Sequence, residues 1–323
     1  MSHLTSDESP DTDAAAREFT THRGRLFGLA YRMLGSAEEA EDVVQDAYLR
    51  WSGAERAAIT YPGAWLAKVV THLCLNRLTS ARVRRERYVG PWLPEPVLTD
   101  GGLLGEGGAG PLEAAELRDD VSTALLLLLE RLTPAERAVY VLREAFGYPH
   151  REIAGVLDLG EANCRQLYGR AARRVAASDG GGARFEAPSP ERRRELVESF
   201  VAAAREGDLA SLEEVLAADV VWCSDGGGRV SAAVRPVQGR DRVLRFLLGV
   251  ARKVEEGTRL TAAEVNGAPG FVMHVGRRVT GVATVEAGAD GRIAEVRIVM
   301  NPEKLGYATR QFAAAFPEPT AGG

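Results

Sequence analysis

Residues 149–175 read P-H-R-E-I-A-G-V-L-D-L-G-E-A-N-C-R-Q-L-Y-G-R-A-A-R-R-V, two helical patterns joined by a turn. The first pattern ends at Leu157, Asp158-Leu159-Gly160 carries turn residues, and the second begins at Glu161. On the second helix Cys164, Leu167, Tyr168, Ala171 and Val175 share a face that must pack inward. Gln166 and Arg173 point the other way, with Gly169 between them and Arg165 and Arg170 on the flanks. Glutamine and arginine pair bidentately with adenine and guanine edges in the major groove of DNA, and the glycine would allow close approach. Arg174 suits a phosphate contact, which positions without specifying. The pattern is that of a helix-turn-helix; the plainer alternative is a helical hairpin with a polar outer face.

Upstream, two more helices are punctuated clearly. Thr133-Pro134-Ala135-Glu136 and Ser36-Ala37-Glu38-Glu39 both fit capping boxes. After Ser36, Ala40, Val43, Val44, Ala47 and Trp51 recur at helical spacing. A helix from Pro62 buries Trp65, Leu66, Val69, Val70 and Leu73. Roughly opposite its apolar centre run Lys68, His72, Leu75 and Thr79, with Asn76 at the edge and Arg77 beside it. A lone helix histidine is usually a surface residue. Here it precedes the cluster Arg82, Arg84, Arg85 and Arg87, so a nucleic-acid face becomes the sharper reading.

The chain has 323 residues and a net charge of −5, with 26% charged and 45% hydrophobic residues. That length favours two or three domains. The acidic sum argues weakly against a nucleic-acid binder, but the basic residues are clustered and the acids collect elsewhere, at Glu38, Glu39, Glu41, Asp42 and Asp46. No apolar run reaches the roughly 20 residues needed to span a bilayer. Cys74, Cys164 and Cys223 lack metal-ligand spacing and read as small core residues in a reducing cytoplasm. No metal or cofactor is implied.

The expected organisation is a disordered tail at 1–13, a helical domain at 14–88, a linker at 89–112, a second helical domain at 113–177 and a linker at 178–190. An α+β domain at 191–311 and a flexible tail at 312–323 follow. The first linker contains P-W-L-P-E-P and then a run rich in glycine, stiff first and loose afterwards. In the last domain, helices near Leu196–Ala204 and Leu212–Leu216 precede strand-like runs at 220–223, 230–234, 260–265, 271–275, 279–285 and 293–300. Val243 to Val250 reads as a further helix, and Asp290-Gly291 as a hairpin turn. Helices against a mostly antiparallel sheet make this unit α+β.

Asp225-Gly226-Gly227-Gly228-Arg229-Val230 invites two readings. It lacks the Gly-Lys-Ser/Thr ending of a phosphate loop and joins two expected strands. As a turn it supplies positive-φ positions, with more glycine than a turn requires. The surplus would let another piece of chain lie against its backbone.

On A-E-D-V-V-Q-D-A-Y-L-R-W (40–51), P-G-A-W-L-A-K-V-V-T-H-L-C-L-N-R-L (62–78), L-T-P-A-E-R-A-V-Y-V-L-R-E (132–144) and the helix-turn-helix, the first 177 residues resemble an extracytoplasmic-function sigma factor. The resemblance implies two all-α sigma domains, domain two and domain four. It implies that the helix carrying Asp42, Gln45, Asp46 and Trp51 docks on the clamp coiled coil of core RNA polymerase. The helix bearing Lys68, His72, Asn76 and Arg77 would capture the melted minus-ten element of promoter DNA, which requires unstacking a base. The helix bearing Arg165, Gln166, Arg170, Arg173 and Arg174 would read the minus-thirty-five element. His72 stands where many members carry asparagine, and Gly160 where serine is commoner, a change worth only a few tenths of a kcal/mol at roughly that position.

Residues 190–310 resemble a SnoaL-like domain, the α+β cone shared with ketosteroid isomerases and nuclear transport factors. A subgroup of these sigma factors carries it, marked by W-L-P-E-P, D-G-G-G-K-V and N-P-D-K-L. Here the motifs are Trp92-Leu93-Pro94-Glu95-Pro96, Asp225 to Val230 with Arg229 for lysine, and Asn301-Pro302-Glu303-Lys304-Leu305 with Glu303 for aspartate. In such proteins the extension acts in cis, in place of a separate anti-sigma protein. The expectation is one regulatory contact set of Trp92, Pro94, Glu95, Asp225, Gly226, Gly227, Gly228, Arg229, Asn301, Pro302 and Lys304, with Trp92 received by the glycine loop.

Rival readings concern the cone and the family. A pocket lined by Trp222, Phe246, Met273 and His274 could sense or turn over a small apolar ligand, with Asp225 or His274 as general base. No paired carboxylates are placed for acid–base work, and a histidine alternating with valines on a strand is more often packed than catalytic. A plain two-domain repressor is disfavoured by the polymerase-docking helix.

Overall fold

The structure, a computed structural model, describes residues 10–86, 88–99, 121–178 and 189–316. The expectations for residues 1–9, for the glycine-rich half of the first linker, for most of the second linker and for the side chains of Arg82, Arg84, Arg85 and Arg87 lie outside the described residues.

The first unit packs α1 (Pro10–Leu34), α2 (Ala37–Ser52) and α3 (Pro62–Glu86). Helix α1 starts inside the stretch expected to be a disordered tail. The reason is burial: Phe19 packs edge-on against Tyr48 at 5.1 Å, and the Ala15 carbonyl accepts from Trp51 Nε1 at 3.0 Å. Gly35, at φ +67°, ends α1, and Ser36 caps α2 by accepting from the Glu39 amide at 3.1 Å.

The second unit contains α4 (Thr123–Leu129), α5 (Pro134–Glu144), α6 (His150–Leu157) and α7 (Glu161–Ser178). The Thr133–Glu136 capping box is complete. Asp158 closes α6 in the left-handed conformation at φ 54°, turning the chain into α7. Cys164, Leu167 and Ala171 are buried, as the wheel requires, and Tyr168 stacks on Tyr140. The two helical units share one continuous core, with α5 against α1 and α3, and α6 against α3. Across that junction the buried Arg137 donates through Nε to the Arg32 carbonyl at 3.0 Å and pairs with Glu130 at 2.5 Å.

The α+β unit runs α8 (Pro190–Glu206), α9 (Leu209–Val215), β1 (Leu216–Asp225), β2 (Val237–Gln238), α10 (Arg240–Ala251), β3 (Arg259–Val265), β4 (Ala268–Val275), β5 (Arg278–Ala287), β6 (Ile293–Val299) and α11 (Gly306–Ala315). Its sheet has the order β2-β1-β6-β5-β4-β3, antiparallel except for the β1–β6 pair. Alternation gives the sheet two apolar faces. One closes with α8, α9 and α10 around Phe200, Trp222 and Phe271. The other packs Val265, Val272, Val282 and Val299 against Leu93 and Leu98 of the linker and Phe312 of α11.

Two local expectations fail. Residues 230–234 form no strand: Val234 is 64% exposed, and the return pairing with β1 is only the two residues of β2. Residues 312–315, expected to lie in a flexible tail, are helical: Phe312 is buried with its ring centroid 4.5 Å from that of His274, and α11 runs to Ala315.

Candidate functional site: two polar helix faces and an interdomain clamp

On α7, Gln166, Arg165 and Arg173 are exposed on the outer face. Arg165 pairs with Glu161 one turn back at 2.5 Å, and Arg173 donates to the Gly169 carbonyl at 3.1 Å. Arg170 and Arg174 behave differently. Both reach the buried Glu136 carboxylate, Arg170 at 3.3 Å, so these two also brace α7 against α5. A wheel places Arg170 on the flank but cannot show the acid that it and Arg174 meet.

On α3, the stripe is in part covered. Lys68 Nζ donates to the Gly155 carbonyl at 3.0 Å and to Asp158 Oδ1 at 2.7 Å. His72 Nε2 lies 2.7 Å from the Val156 carbonyl and 3.6 Å from Asp158 Oδ2. The end of the first helix-turn-helix helix therefore rests on the face expected to meet the minus-ten element. Asn76 stays exposed, and Arg77 bridges to Asp42 at 3.3 Å and Asp46 at 3.1 Å on α2.

Asp42, Gln45 and Asp46 lie on the outer side of α2, as expected. Trp51 does not: it is fully buried against Trp65, its ring nitrogen bonded to Ala15, so it belongs to the core. The apolar residue on the outer face is Leu49, 61% exposed. It follows Gln45 by one helical turn, a spacing that could have revealed it.

The linker motif, the glycine loop and the Asn301–Lys304 segment do converge. Asp225, at the end of β1, is completely buried. Its Oδ2 accepts from the Leu93 amide at 2.8 Å and from Lys304 Nζ at 2.7 Å, while Oδ1 accepts from the Tyr88 hydroxyl at 2.6 Å. Lys304 also donates to the Leu93 carbonyl at 2.6 Å and lies 4.3 Å from the Trp92 ring centroid and 4.6 Å from that of Tyr88. Burial, followed by the bond to Asp225, pushes the Tyr88 hydroxyl far above its ordinary value. Asn301 caps the short turn Pro302–Lys304, whose exposed Pro302 is its first residue, and donates from Nδ2 to Tyr88 at 2.8 Å. Arg229 and Glu303, the two departures from the motif pattern, pair with each other at 2.6 Å.

The occupant of the glycine loop differs from expectation. A side chain on Gly227 would collide with Asn301 and with Tyr88 Oη, and one on Gly228 would press on Val89, whose Cβ would lie 3.3 Å away. Trp92 instead packs with Pro94 against Gly35 of the first helical unit. Bulky Trp92 signalled a contact, but only the fold shows which surface takes it.

Glu95 extends the clamp to α2. Its carboxylate accepts from Ser36 Oγ at 2.7 Å and from the Glu38 amide at 3.0 Å, completing the N-terminal cap of α2. Burial pushes this carboxyl above the ordinary glutamate range, against the pull of the Glu38 amide and the Ser36 hydroxyl. Further partners carry no sequence signal. Tyr31 Oη donates to the Glu95 carbonyl at 2.5 Å and lies 3.0 Å from Asn266 Oδ1; Asn266, at φ 51°, also accepts from the Val97 amide and donates to Thr123. Gln311 pairs with both backbone groups of Leu98. On the first helical unit, Tyr307 of α11 stacks on Phe27, and Arg310 pairs with Glu38 at 3.1 Å.

The cone holds a cavity of about 770 Å³ lined by Trp222, Phe246 and Met273. His274 is not among its lining residues. It points to the opposite face of the sheet, bonded to Thr261 at 2.9 Å and the Gly276 carbonyl at 2.8 Å. Asp225 sits in the clamp, so both proposed bases are away from the cavity. Among the described residues no group of three His, Cys, Asp or Glu could hold a metal, and no helix is long and apolar enough to cross a membrane.

Comparison with known proteins accords with this architecture. The family models Sigma-70 region 2 and Sigma-70, region 4 match residues 19–84 and 122–175. The ECF RNA polymerase sigma factor SigJ of Mycobacterium tuberculosis is 36% identical over 89% of this chain and 92% of its own length. The probable ECF RNA polymerase sigma factor SigI of the same species is 34% identical over 91% of this chain and 95% of its own. The crystal structure of SigJ superimposes with a TM-score of 0.69 at 33% identity, covering 90% of this chain and 98% of that one. With both helical units, the linker and the α+β unit in register with these relatives over nearly the whole length, the chain belongs to the ECF RNA polymerase sigma factors.

Proposed function

We propose that this sigma factor binds core RNA polymerase through the outer face of α2 (Asp42, Gln45, Asp46 and Leu49) and directs promoter-specific initiation in the cytoplasm. Helix α3 captures the minus-ten element with Lys68, His72 and Asn76. Helix α7 reads the minus-thirty-five element with Gln166, Arg165 and Arg173, while Arg170 and Arg174 steady it. The α+β unit regulates both in cis by holding the linker between them.

One observation carries this reading: within three residues, the linker is gripped by Asp225 and Lys304 at Leu93 and caps α2 with Glu95. The α+β unit is thereby connected directly to the polymerase-docking helix. Because the contact is intramolecular, its effective concentration is high and modest intrinsic affinity suffices.

The test is run-off transcription with core polymerase from the promoter upstream of its own gene. Full-length protein is compared with chains ended before Asn301 and near Ser178, and with Trp92→Ala. Distinct activities are expected, with Trp92→Ala resembling the chain ended before Asn301. Equal activity from all of them would remove the regulatory role of the α+β unit.

A further inference from the structure

Helix α10 packs its inner side on the α+β sheet, where Val243 is fully buried, and turns Arg242, Arg245, Gly249 and Arg252 to solvent on the other. Lys253 continues the row. Arg252 keeps helical dihedrals at φ −73° and ψ −13°, and the Lys253 amide donates to the Val250 carbonyl at 2.8 Å. The whole chain carries a net charge of −5, yet Arg242, Arg245, Arg252 and Lys253 meet no carboxylate among the described residues. Nearby acids are engaged elsewhere or stand at the ends. Glu213 pairs with Arg240 and Glu255 with Arg278; Asp241, the only acid of the helix, is in its first turn, and exposed Glu256 lies past its end.

Two features of this row disfavour the helix itself. A cation in the first turn opposes the positive end of the helix dipole, and Arg242 stands there without an ion pair. A glycine in a helix interior is less stable than alanine. Nothing lies within 4 Å of a Cβ added to Gly249, so no described neighbour in the chain requires the glycine.

The same arrangement occurs on α7. Arg165, Gly169 and Arg173 are spaced four residues apart, as are Arg245, Gly249 and Lys253. An added Cβ on Gly169 also meets nothing within 4 Å. Arg245 and Arg173 each donate through Nε to the carbonyl one turn back, at 3.2 and 3.1 Å. One difference separates the helices: α7 adds Gln166 for base edges, whereas α10 contains no Asn or Gln. Contacts to phosphate position a duplex without specifying its sequence.

We propose that the outer face of α10 is a second DNA-binding surface, which takes the phosphate backbone of a duplex without reading its sequence. Gly249 lets that backbone approach between Arg245 and Lys253, and the cations of the row release counterions from it. The setting rests on the reading of this chain as a promoter binder; the contact itself needs no promoter.

The probes are the duplex of the promoter upstream of its own gene and a scrambled duplex of equal length, followed by fluorescence anisotropy with the full chain over a salt series. Arg245→Gln with Lys253→Gln is expected to weaken binding to both duplexes alike, roughly tenfold or more at low salt, and to flatten the log–log salt slope by about 2, the value of two phosphate contacts. Arg277→Gln with Arg292→Gln removes the same charge from exposed positions elsewhere and should leave both affinities within about twofold. Gly249→Gln, which adds bulk and no charge, should raise the thermal midpoint and lose affinity for both duplexes. An unchanged slope in the α10 variant, an equal loss in the Arg277 and Arg292 control, or no binding of the scrambled duplex by the native chain overturns the proposal. A loss of affinity for core polymerase with DNA binding intact assigns the row to a protein partner and overturns it too. A native chain that binds both duplexes equally counts against promoter reading by α7 and leaves the α10 contact standing.

Discussion

Lys304 Nζ lies 2.7 Å from Asp225 Oδ2; the Asp225 side chain is fully buried and that of Lys304 is 10% exposed. Removing one member leaves the other as an uncompensated buried charge. Lys304→Met is therefore expected to lower unfolding stability by about 3–5 kcal/mol. The double variant Lys304→Met with Asp225→Asn should recover a large part of that loss. Urea denaturation of the four proteins in the cycle measures the coupling, and strict additivity would contradict the pair.

Gly227 and Gly207 have similar left-handed backbones, at φ 57° and 69°, but different surroundings. Beyond Gly207, the cap of α8, nothing lies within 4 Å of an added Cβ, whereas at Gly227 it meets Asn301 and Tyr88. Gly207→Ala should cost only the conformational penalty, on the order of 1 kcal/mol. Gly227→Ala should cost more and should speed proteolysis near Tyr88 and Val89. A calorimetric comparison of the two, with limited digestion, decides it.

Glu95 gives the linker contact a pH dependence. Its folded value is raised above the ordinary one of 4.5, so the native chain holds this proton more tightly than the unfolded chain. Stability contributed by Glu95 therefore rises as pH falls through the raised value, levels off below about 4.5, and is lost again as pH rises. Glu95→Gln preserves an acceptor for the Glu38 amide and should remove that dependence. The difference in unfolding free energy between the two proteins, followed from neutral pH downward, carries the sign.

Asp158 pairs with Lys68 at 2.7 Å and lies 3.6 Å from His72, two residues proposed above to meet the minus-ten element. Asp158→Ala should tighten binding of a single-stranded minus-ten oligonucleotide, by less than about tenfold because exposed ion pairs are weak. With Lys68→Ala already present, the gain should shrink. Fluorescence anisotropy with both backgrounds separates release of Lys68 from a mere loss of negative charge.

Much of this was legible in the residues because it depends on short-range periodicity and capping. The turn at Asp158, the capped start at Thr133 and the inward Cys164–Leu167–Ala171 face all follow from spacing. Trp51 was misassigned by the family resemblance, whereas its helical spacing with Ala40, Val43, Val44 and Ala47 already put it on the buried face, where α1 covers it. Residues 230–234 read as a strand yet pair with none, and Val230 and Val234 stay exposed. His274 pointed to the cavity on composition alone, and the pleat turned it to the other face.

By itself the chain determined its helices, its helix-turn-helix, its α+β extension and the three motifs that meet at the clamp, because each is written in local pattern or in contiguous residues. Only the tertiary structure decided that Tyr88 and Val89 fill the glycine loop, that Glu95 caps α2, and that Asp158 covers part of α3. Those contacts join residues far apart in the chain, where complementarity of shape and charge appears only after the sheet and helices have packed.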